Sequence, residues 1–569
     1  MLDFKFKQNA SSGERWIETS LEGKPLLTTP QLNKGTAFTE AERDVFGLRG
    51  KLPIRVEQLQ EQVDRAYQQY LAYDTRLKQN IYLNNLHDKN QILFYKLLSE
   101  HLAEMLPTIY TPIVGSAVKS YSREFRQPRG LYLTYQDRDR IPQLLANRSN
   151  PEIDLIVVTD GQGVLGIGDQ GIGGIDIPVA KLMVYSLCGG LNPSRTLPIF
   201  LDVGTDNLDL LNDPFYLGLR QARITGSDYD NFVDKFITAI KQEFPKVFLH
   251  WEDFGRANAD RFLQRYQDQI CTFNDDIQGT GAVAMAALLA AIDSNGSHLD
   301  QQRIIVYGAG TAGSGIANQV FQAMTKHYGI NQAHALKQFW LIDRQGLLLS
   351  DMQDLTPAQA TFARTRQEVA TWKMNASGIS LEETVKHVKP TILIGCSAVA
   401  GAFSETIIKS MAAHCKNPII FPLSNPTERA EATPSDIFTW TQGEAWVATG
   451  SPFDPVIFQG KIYSISQCNN ALVFPGIGLG IVSVQATRLT ATMMWRAIQA
   501  LSAASPLRNN KNALLPGLDQ AREVAIDIAV AVADEAITAG IAQITPTKDL
   551  HQWITELYWE PEYLPIRKR

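Results

Sequence analysis

Two acidic pairs are placed where carboxylates could meet. VFLHWED ends an apolar run with Glu252 and Asp253, and CTFNDDIQGTGA carries Asp275 and Asp276 just ahead of an apolar helical stretch. The segment between them, NADRFLQRYQDQ, is about one helix long. Both pairs can therefore reach the carboxyl edge of one sheet. Oxygen donors without a cluster of Cys or His beside them suit Mg²⁺ or Mn²⁺ better than zinc. Spacing alone equally allows Asp275 or Asp276 to cap the helix that follows.

The pattern GxGxxG occurs twice, as Gly166-Ile167-Gly168-Asp169-Gln170-Gly171 and as Gly308-Ala309-Gly310-Thr311-Ala312-Gly313. A dinucleotide turn needs a strand running into its first glycine and a helix opening at its last. Only the second copy has both: RIIVY enters Gly308, and TAGSGIANQVFQAM leaves as a helix. Gly308, Gly310, Thr311, Ala312 and Gly313 are thus expected to offer backbone N–H groups to a pyrophosphate. The next strand, FWLID, ends in Asp343, where an acid would hold ribose hydroxyls. An acid there repels a 2′-phosphate. Gln345 to Ala363 contains no Lys or Arg, although Arg344 is adjacent, so NAD is expected rather than NADP. The plainer alternatives are an ordinary βα turn and a solvated strand end. The first glycine copy follows VTDGQGVLGIG, which reads as an Asp160-Gly161 turn and hairpin. Its glycines are expected to let backbone approach a substrate or a cofactor phosphate.

Lys181 lies in DIPVAKLMVY, with Pro178 in the first turn of a mostly apolar helix. A buried lysine has a lowered pKa and can act as a base; snorkelling to the surface is the commoner outcome. Tyr110, in PTIYTPIVG, stands beside two prolines, where packing is the default role.

These residues need a scaffold, and the pattern supplies one. From Thr39 to about Ser120 apolar residues recur at helical steps, and Thr39 with Glu42 has the spacing of a capping box. Residues 1–35 read as polar loop. From Gly130 onward, β-branched and aromatic runs (LYLTY, IDLIVVTD, LPIFLDV, VFLHWED, RIIVYG, FWLID, TILIGCS, PIIFPLS, AWVATG) alternate with helical stretches. That alternation means parallel α/β sheets, two of them given the number of strands. The fold class expected is α/β with three parts. These are a mainly helical region at 1–129, an α/β substrate and metal domain at 130–277 completed by about 467–540, and a Rossmann-type NAD domain at 278–466. The aromatic tail, 541–569, is expected to pack on a neighbour.

With 569 residues, 44% of them hydrophobic and 20% charged, the chain can bury a large core. A net charge of -6 provides no electrostatic footprint for nucleic acid or an anionic membrane. No run of 18 uncharged apolar residues suggests a spanning helix. The cysteines Cys188, Cys271, Cys396, Cys415 and Cys468 are scattered, odd in number and free of CxxC spacing. That fits a reducing compartment and a cytoplasmic protein.

Taken together, TIYTPIVG, TDGQGVLGIGDQGIGGIDIPVAK, FLDVGTDN, EDF, TFNDDIQGT, GAGTAG, SNPT at 424–427 and QCNNALVFPGIGLG at 467–480 resemble the malic enzyme family, in order, over nearly the whole chain. The resemblance implies oxidative decarboxylation of L-malate to pyruvate and CO₂ with NAD and a divalent metal. It implies that Glu252, Asp253 and Asp276 are metal ligands, with Asp275 supporting them. Lys181 is then the base for the C2 hydroxyl and Tyr110 the acid that protonates the enol. Asn425 and Asn469 bind malate carboxylates, with Asn470 alongside, and Asn425 also borders the cofactor. A metal there polarises the developing ketone and steadies the enolate. The family forms dimers and tetramers, so a homodimer or homotetramer is implied.

One departure stands out. Where the family commonly reads DGER, this chain reads Asp160-Gly161-Gln162-Gly163. Malolactic enzymes, which convert malate directly to lactate, look similar there and share the flavour of EDFGR. The loss of that arginine makes Arg256 the expected source of positive charge toward malate. The alternatives to an NAD-dependent malic enzyme are a malolactic enzyme and a non-catalytic malate or NAD sensor.

Overall fold

A computed structural model describes residues 4–9, 12–148, 150–164, 166–509 and 512–569. The chain forms two compact units, Met1–Gln162 with Asp169–Leu249 and Glu556–Arg569, and Gly163–Gly168 with His250–Thr555. The division runs through the block 130–277, and 467–540 falls in the second unit.

The first unit opens with two strands, β1 (Phe4–Gln8) and β2 (Arg15–Thr19), paired antiparallel. The loop expected over residues 1–35 is therefore corrected. In FKFKQ only Phe4 is buried, so the lysines hide the strand from a search for apolar alternation. The C-terminal strand Ile566–Lys568 runs parallel to β2. Phe4, Ile17 and Ile566 share a small core with Leu26, Phe38, Phe46 and Leu48. Residues 556–569 of the expected tail thus fold onto the first unit, and 541–555 belong to the second. Tyr558 Oη donates to the carbonyls of Leu187 and Cys188, each at 3.1 Å.

Six helices follow between Glu40 and Glu124, as the periodicity predicts. The capping box at Thr39 and Glu42 is present. Next come β3 (Leu131–Thr134), β4 (Leu155–Thr159), β5 (Thr196–Asp202) and β6 (Phe248–Trp251), in the order β3-β5-β4-β6, with β3 and β4 parallel to β5. The helix Asp176–Gly189 packs on β4 and β5 and is buried from Ile177 to Gly189.

β6 carries the chain into the second unit, where it neighbours β7 (Thr272–Asn274), the second strand end expected to deliver acids. A second sheet comprises β8 (Ile304–Tyr307), β9 (Phe339–Asp343), β10 (Gly346–Leu347), β11 (Ile392–Gly395), β12 (Ile419–Pro422) and β13 (Trp446–Thr449). A hairpin of β14 (Val456–Phe458) and β15 (Lys461–Tyr463) then leads to β16 (Ser466–Gln467). The seven-stranded order is β10-β9-β8-β11-β12-β13-β16. All neighbours are parallel except β10, which turns back on β9. Helices Phe474–Val484, Ala491–Ala503 and Ala521–Thr538 pack together after it.

By length and composition, Gly171–Gly189 and Asp275–Ser294 could cross a bilayer, but 94% and 72% of their apolar windows are buried inside the protein. Each also carries polar residues of the candidate site.

Candidate active site

The acid cluster belongs to the second unit. Apolar β6 delivers Glu252, buried at 4% exposure, and Asp253 at its carboxyl end. Asp253 has φ +56°, a left-handed conformation that non-glycine residues adopt at a cost and that concentrates at functional sites. Two hydrogen bonds hold it. Its N–H donates to Asp276 Oδ2 at 2.8 Å, and its carbonyl accepts from Gly163 N–H at 2.8 Å. A Cβ on Gly163 would lie 2.4 Å from the Phe254 carbonyl oxygen, so the turn approaches this closely because residue 163 is glycine. Glu252, Asp253 and Asp276 each offer a carboxylate oxygen within 4.8 Å of the others. Three hard oxygen donors converging this closely fit a divalent cation such as Mg²⁺ or Mn²⁺.

After β7 the chain makes one π turn, Asp275–Gly279, before the helix Thr280–Ser294. Such turns recur at functional sites. Its cap is Asn274, whose Oδ1 accepts from Ile277 N–H at 3.1 Å. The alternative that Asp275 or Asp276 caps the helix is thereby corrected: the asparagine one residue earlier takes the role, leaving both acids to the site. Asp275 is fully buried and accepts from Asn470 Nδ2 at 2.9 Å, while that amide also donates to Thr280 Oγ1 at 3.0 Å. Asn470 therefore holds Asp275. Asn469 caps the short turn Asn470–Leu472 through Ala471 N–H at 2.9 Å. Asn425 Oδ1 accepts from the Ser451 hydroxyl.

Sequence reasoning missed two residues here. His250, fully buried between the rings of Phe273 and Phe474, has Nε2 2.7 Å from Glu252 Oε2. His250 on β6 and Glu252 just past its end stand two apart, the spacing that brings side chains to one face, which is the signal that could have found it. Glu431, also fully buried, accepts from Ser397 N–H and Oγ at 2.8 Å and from the Ser424 hydroxyl. It ties the ends of β11 and β12 together beside Asn425. In TERAEATPSD it looks like a surface acid, and nothing in the local sequence marks it.

The second glycine motif has the expected context, β8 into Gly308 and the helix Thr311–Gln322 out of Gly310. Gly308 has φ +97°, and a Cβ on it would lie 2.4 Å from the Cys396 backbone; one on Gly313 would lie 2.2 Å from the Gly308 carbonyl oxygen. These are approaches only glycine permits, and they leave a cradle that fits a dinucleotide. Asp343 ends β9 and accepts from Gln359 Nε2 at 2.9 Å. Arg256, expected near malate, lies instead with its Nη2 over Gly310 and its Nη1 4.0 Å from Asp343 Oδ2. In the first copy β4 ends at Thr159, and among the described residues no strand enters Gly166. Gly166 and Gly168 take φ +80° and +73°, and Val164 bridges Gly168. Leu165, within the expected hairpin, lies outside the described residues.

The first unit holds the other candidates. Lys181 is 2% exposed and does not snorkel; its Nζ lies 5.2 Å from the centroid of the Tyr110 ring. Tyr110, at 6% exposure, is buried too, so packing and a cation–π contact coincide. Beneath the turn that follows β4, Arg223 donates to both Asp169 oxygens at 2.7 and 2.8 Å and to the Asp160 carbonyl at 2.9 Å. Burial, the largest single influence, pushes Asp169 up, but the hydrogen bonds and charge of Arg223 together with the N–H groups of Asp206 and Gly171 hold the carboxyl below its usual range.

With this geometry in hand, the family can be decided. Residues 87–267 match the malic enzyme N-terminal domain, and residues 277–537 match the malic enzyme NAD-binding domain. The chain belongs to the malic enzyme family. An NAD-dependent malic enzyme of Vibrio parahaemolyticus is 48% identical over 542 residues, covering 95% of this chain and 96% of that protein. One from Aeromonas hydrophila is 47% identical over 547 residues, covering 96% and 97%. Among malic enzyme crystal structures, that of Entamoeba histolytica has a TM-score of 0.54 at 22% identity, covering 90% of each chain. That of Pyrococcus horikoshii has 0.52 at 23%, covering 80% and 87%. Both share the fold. The malic enzyme parts meet between residues 267 and 277, in the segment that carries β7 and Asp276.

Proposed function

We propose that this malic enzyme oxidatively decarboxylates L-malate to pyruvate and CO₂, using NAD and Mg²⁺ or Mn²⁺. The observation that carries the reading is the convergence of Glu252, Asp253 and Asp276 within 4.8 Å. It lies in the same unit as a glycine turn whose neighbouring strand ends in an acid. These three residues would hold the cation, which when bound supplies a Lewis acid for the ketone and enolate charge. Asp275 and Asn470 keep the turn that presents Asp276 in place. Lys181 takes the proton of the C2 hydroxyl, and NAD, when bound, would supply the hydride acceptor for C2. Tyr110 returns a proton to the carbon that loses CO₂. Both groups are buried, which keeps water from competing for those protons. Asn425 and Asn469 orient the malate carboxylates, and Asn425 also borders the cofactor. Gly308, Gly310, Thr311, Ala312 and Gly313 seat the pyrophosphate, and Asp343 takes the ribose hydroxyls.

The five cysteines are free thiols, as a reducing compartment would keep them. A cytoplasmic homodimer or homotetramer completes the reading, and light scattering on the purified protein measures the assembly. The activity is tested by mixing protein, L-malate, NAD and Mn²⁺ while following absorbance at 340 nm and assaying the products. NADH, pyruvate and CO₂ in equal amounts are expected. Lactate without released NADH would make the protein malolactic, and binding without turnover would make it a sensor.

A further inference from the structure

Arg256 is the first residue of the helix Arg256–Tyr266. A cation at that position opposes the helix dipole, so the helix itself gains nothing from it. Its side chain is 51% exposed, and its guanidinium reaches the glycine turn. A Cβ on Gly310 would lie 2.6 Å from Arg256 Nη2, so the guanidinium rests against the bare face of that glycine. Its Nη1 is 4.0 Å from Asp343 Oδ2, close enough for attraction but beyond hydrogen-bond reach. Asp343 meanwhile accepts from Gln359 and from its own neighbour's N–H, Arg344, at 3.0 Å. The Arg256 donors are therefore not consumed by that carboxylate. They face the same turn as the N-terminus of the helix Thr311–Gln322, whose backbone N–H groups suit a pyrophosphate.

We infer that Arg256 is a cofactor ligand: its guanidinium clamps the pyrophosphate of the dinucleotide against the Gly308–Gly313 turn. Asp343 steers it there by charge without capturing it. The planar fork of arginine matches phosphate oxygens in pairs, which lysine cannot reproduce. This inference rests on reading the glycine turn as a dinucleotide site, and it moves Arg256 from malate to the cofactor.

The test is calorimetric titration of NAD and of ADP-ribose, which carries the pyrophosphate but no nicotinamide, into wild type, Arg256→Ala, Arg256→Gln and Arg256→Lys. Both ligands are expected to bind about ten- to a hundredfold more weakly to the Ala and Gln variants, the loss of charge-assisted hydrogen bonds. Lys should recover part of the loss. Mn²⁺ affinity and the thermal midpoint should match wild type. Should the variants fold poorly, the dissociation constant of wild type measured at rising ionic strength takes their place, and it should weaken steadily. Equal affinity in all four proteins, or a wild-type affinity indifferent to salt, overturns the inference while leaving the dinucleotide site standing. So does a loss for NAD that spares ADP-ribose, or a raised malate KM with unchanged NAD binding. A wild type that binds neither ligand removes the site itself.

Discussion

The two units present their chemistry in opposite ways. In the second, the candidate groups come in contiguous motifs at strand ends: Glu252 and Asp253 after β6, Asp276 after β7, Gly308 to Gly313 after β8 and Asp343 at the end of β9. In the first, they are single residues inside apolar surroundings. Lys181 is one charge on a helix buried from Ile177 to Gly189, and Tyr110 follows the helix Leu102–Ile109 among core side chains. Binding a cation or a phosphate takes several groups converging on one ion, so strand ends and turns gather them. Moving a proton takes one group in a dry place, so the surroundings rather than the neighbours in sequence make it functional.

The largest expected effects separate these two kinds of site. Glu252→Ala should abolish measurable turnover and Mn²⁺ binding together. Lys181→Ala should lower kcat by about 10²–10⁴-fold, the range of a lost acid–base group, while Mn²⁺ and NAD dissociation constants stay near wild type. Mn²⁺ binding followed by electron paramagnetic resonance, alongside kcat, reads both. A Lys181→Ala protein that loses Mn²⁺ affinity as severely as Glu252→Ala would erase the distinction between a binding unit and a proton-transfer unit.

The same contrast explains what was legible beforehand. Strand after strand of both sheets follows from β-branched runs, and the acid cluster and glycine turn follow from local motifs. The elements that escaped are those whose signal is not local. β1 carries lysines on its exposed face. Ile566 joins the N-terminal core from the far end of the chain. Glu431 escaped for a related reason, since it acts on two loops that only the fold brings together. His250 stands two residues before its partner Glu252, so there the signal was local. Lys181 was visible as a lysine among apolar residues, yet only the fold, which leaves it 2% exposed, excludes snorkelling. Arg256 was singled out for the right property, its charge, but direction is set by the helix it opens, and that helix points it at Gly310.

A smaller effect sharpens the description of the first unit as a place of buried charge. Asp176 opens the helix that carries Lys181, and burial pushes its carboxyl from 3.8 up to about 6, with Arg129 opposing and Asp88 adding to the rise. The folded protein therefore keeps a proton that the unfolded chain releases. Stability should fall as pH rises from about 4 to about 6 and then level off, by on the order of 2 kcal/mol from this group. Urea unfolding across that range should show the decline in wild type relative to Asp176→Asn, which cannot titrate. Parallel curves for the two proteins would mean that the carboxyl is solvated like any surface acid.

The smallest effect compares one helix cap from each unit. Thr39 caps the helix Glu40–Val45 in the first unit, far along the chain from Tyr110 and Lys181, and its Oγ1 accepts from Glu42 N–H at 3.2 Å. Asn274 caps the turn that bears Asp275 and Asp276, and its own N–H donates to Gln278 Oε1 at 3.0 Å. Replacing either by alanine should cost about 1 kcal/mol of stability, the usual value of a lost cap. The consequences beyond stability should differ. Thr39→Ala removes one hydrogen bond from a structural helix, so Mn²⁺ affinity should not change. Asn274→Ala loosens the backbone that aims the Asp276 carboxylate at Glu252 and Asp253, so the same small loss of stability should come with weaker Mn²⁺ binding. Because the two substitutions are matched in cost, the metal titration alone tells whether a cap in the second unit serves the fold or the site. Equal Mn²⁺ affinities would place Asn274 with Thr39, as an ordinary helix end.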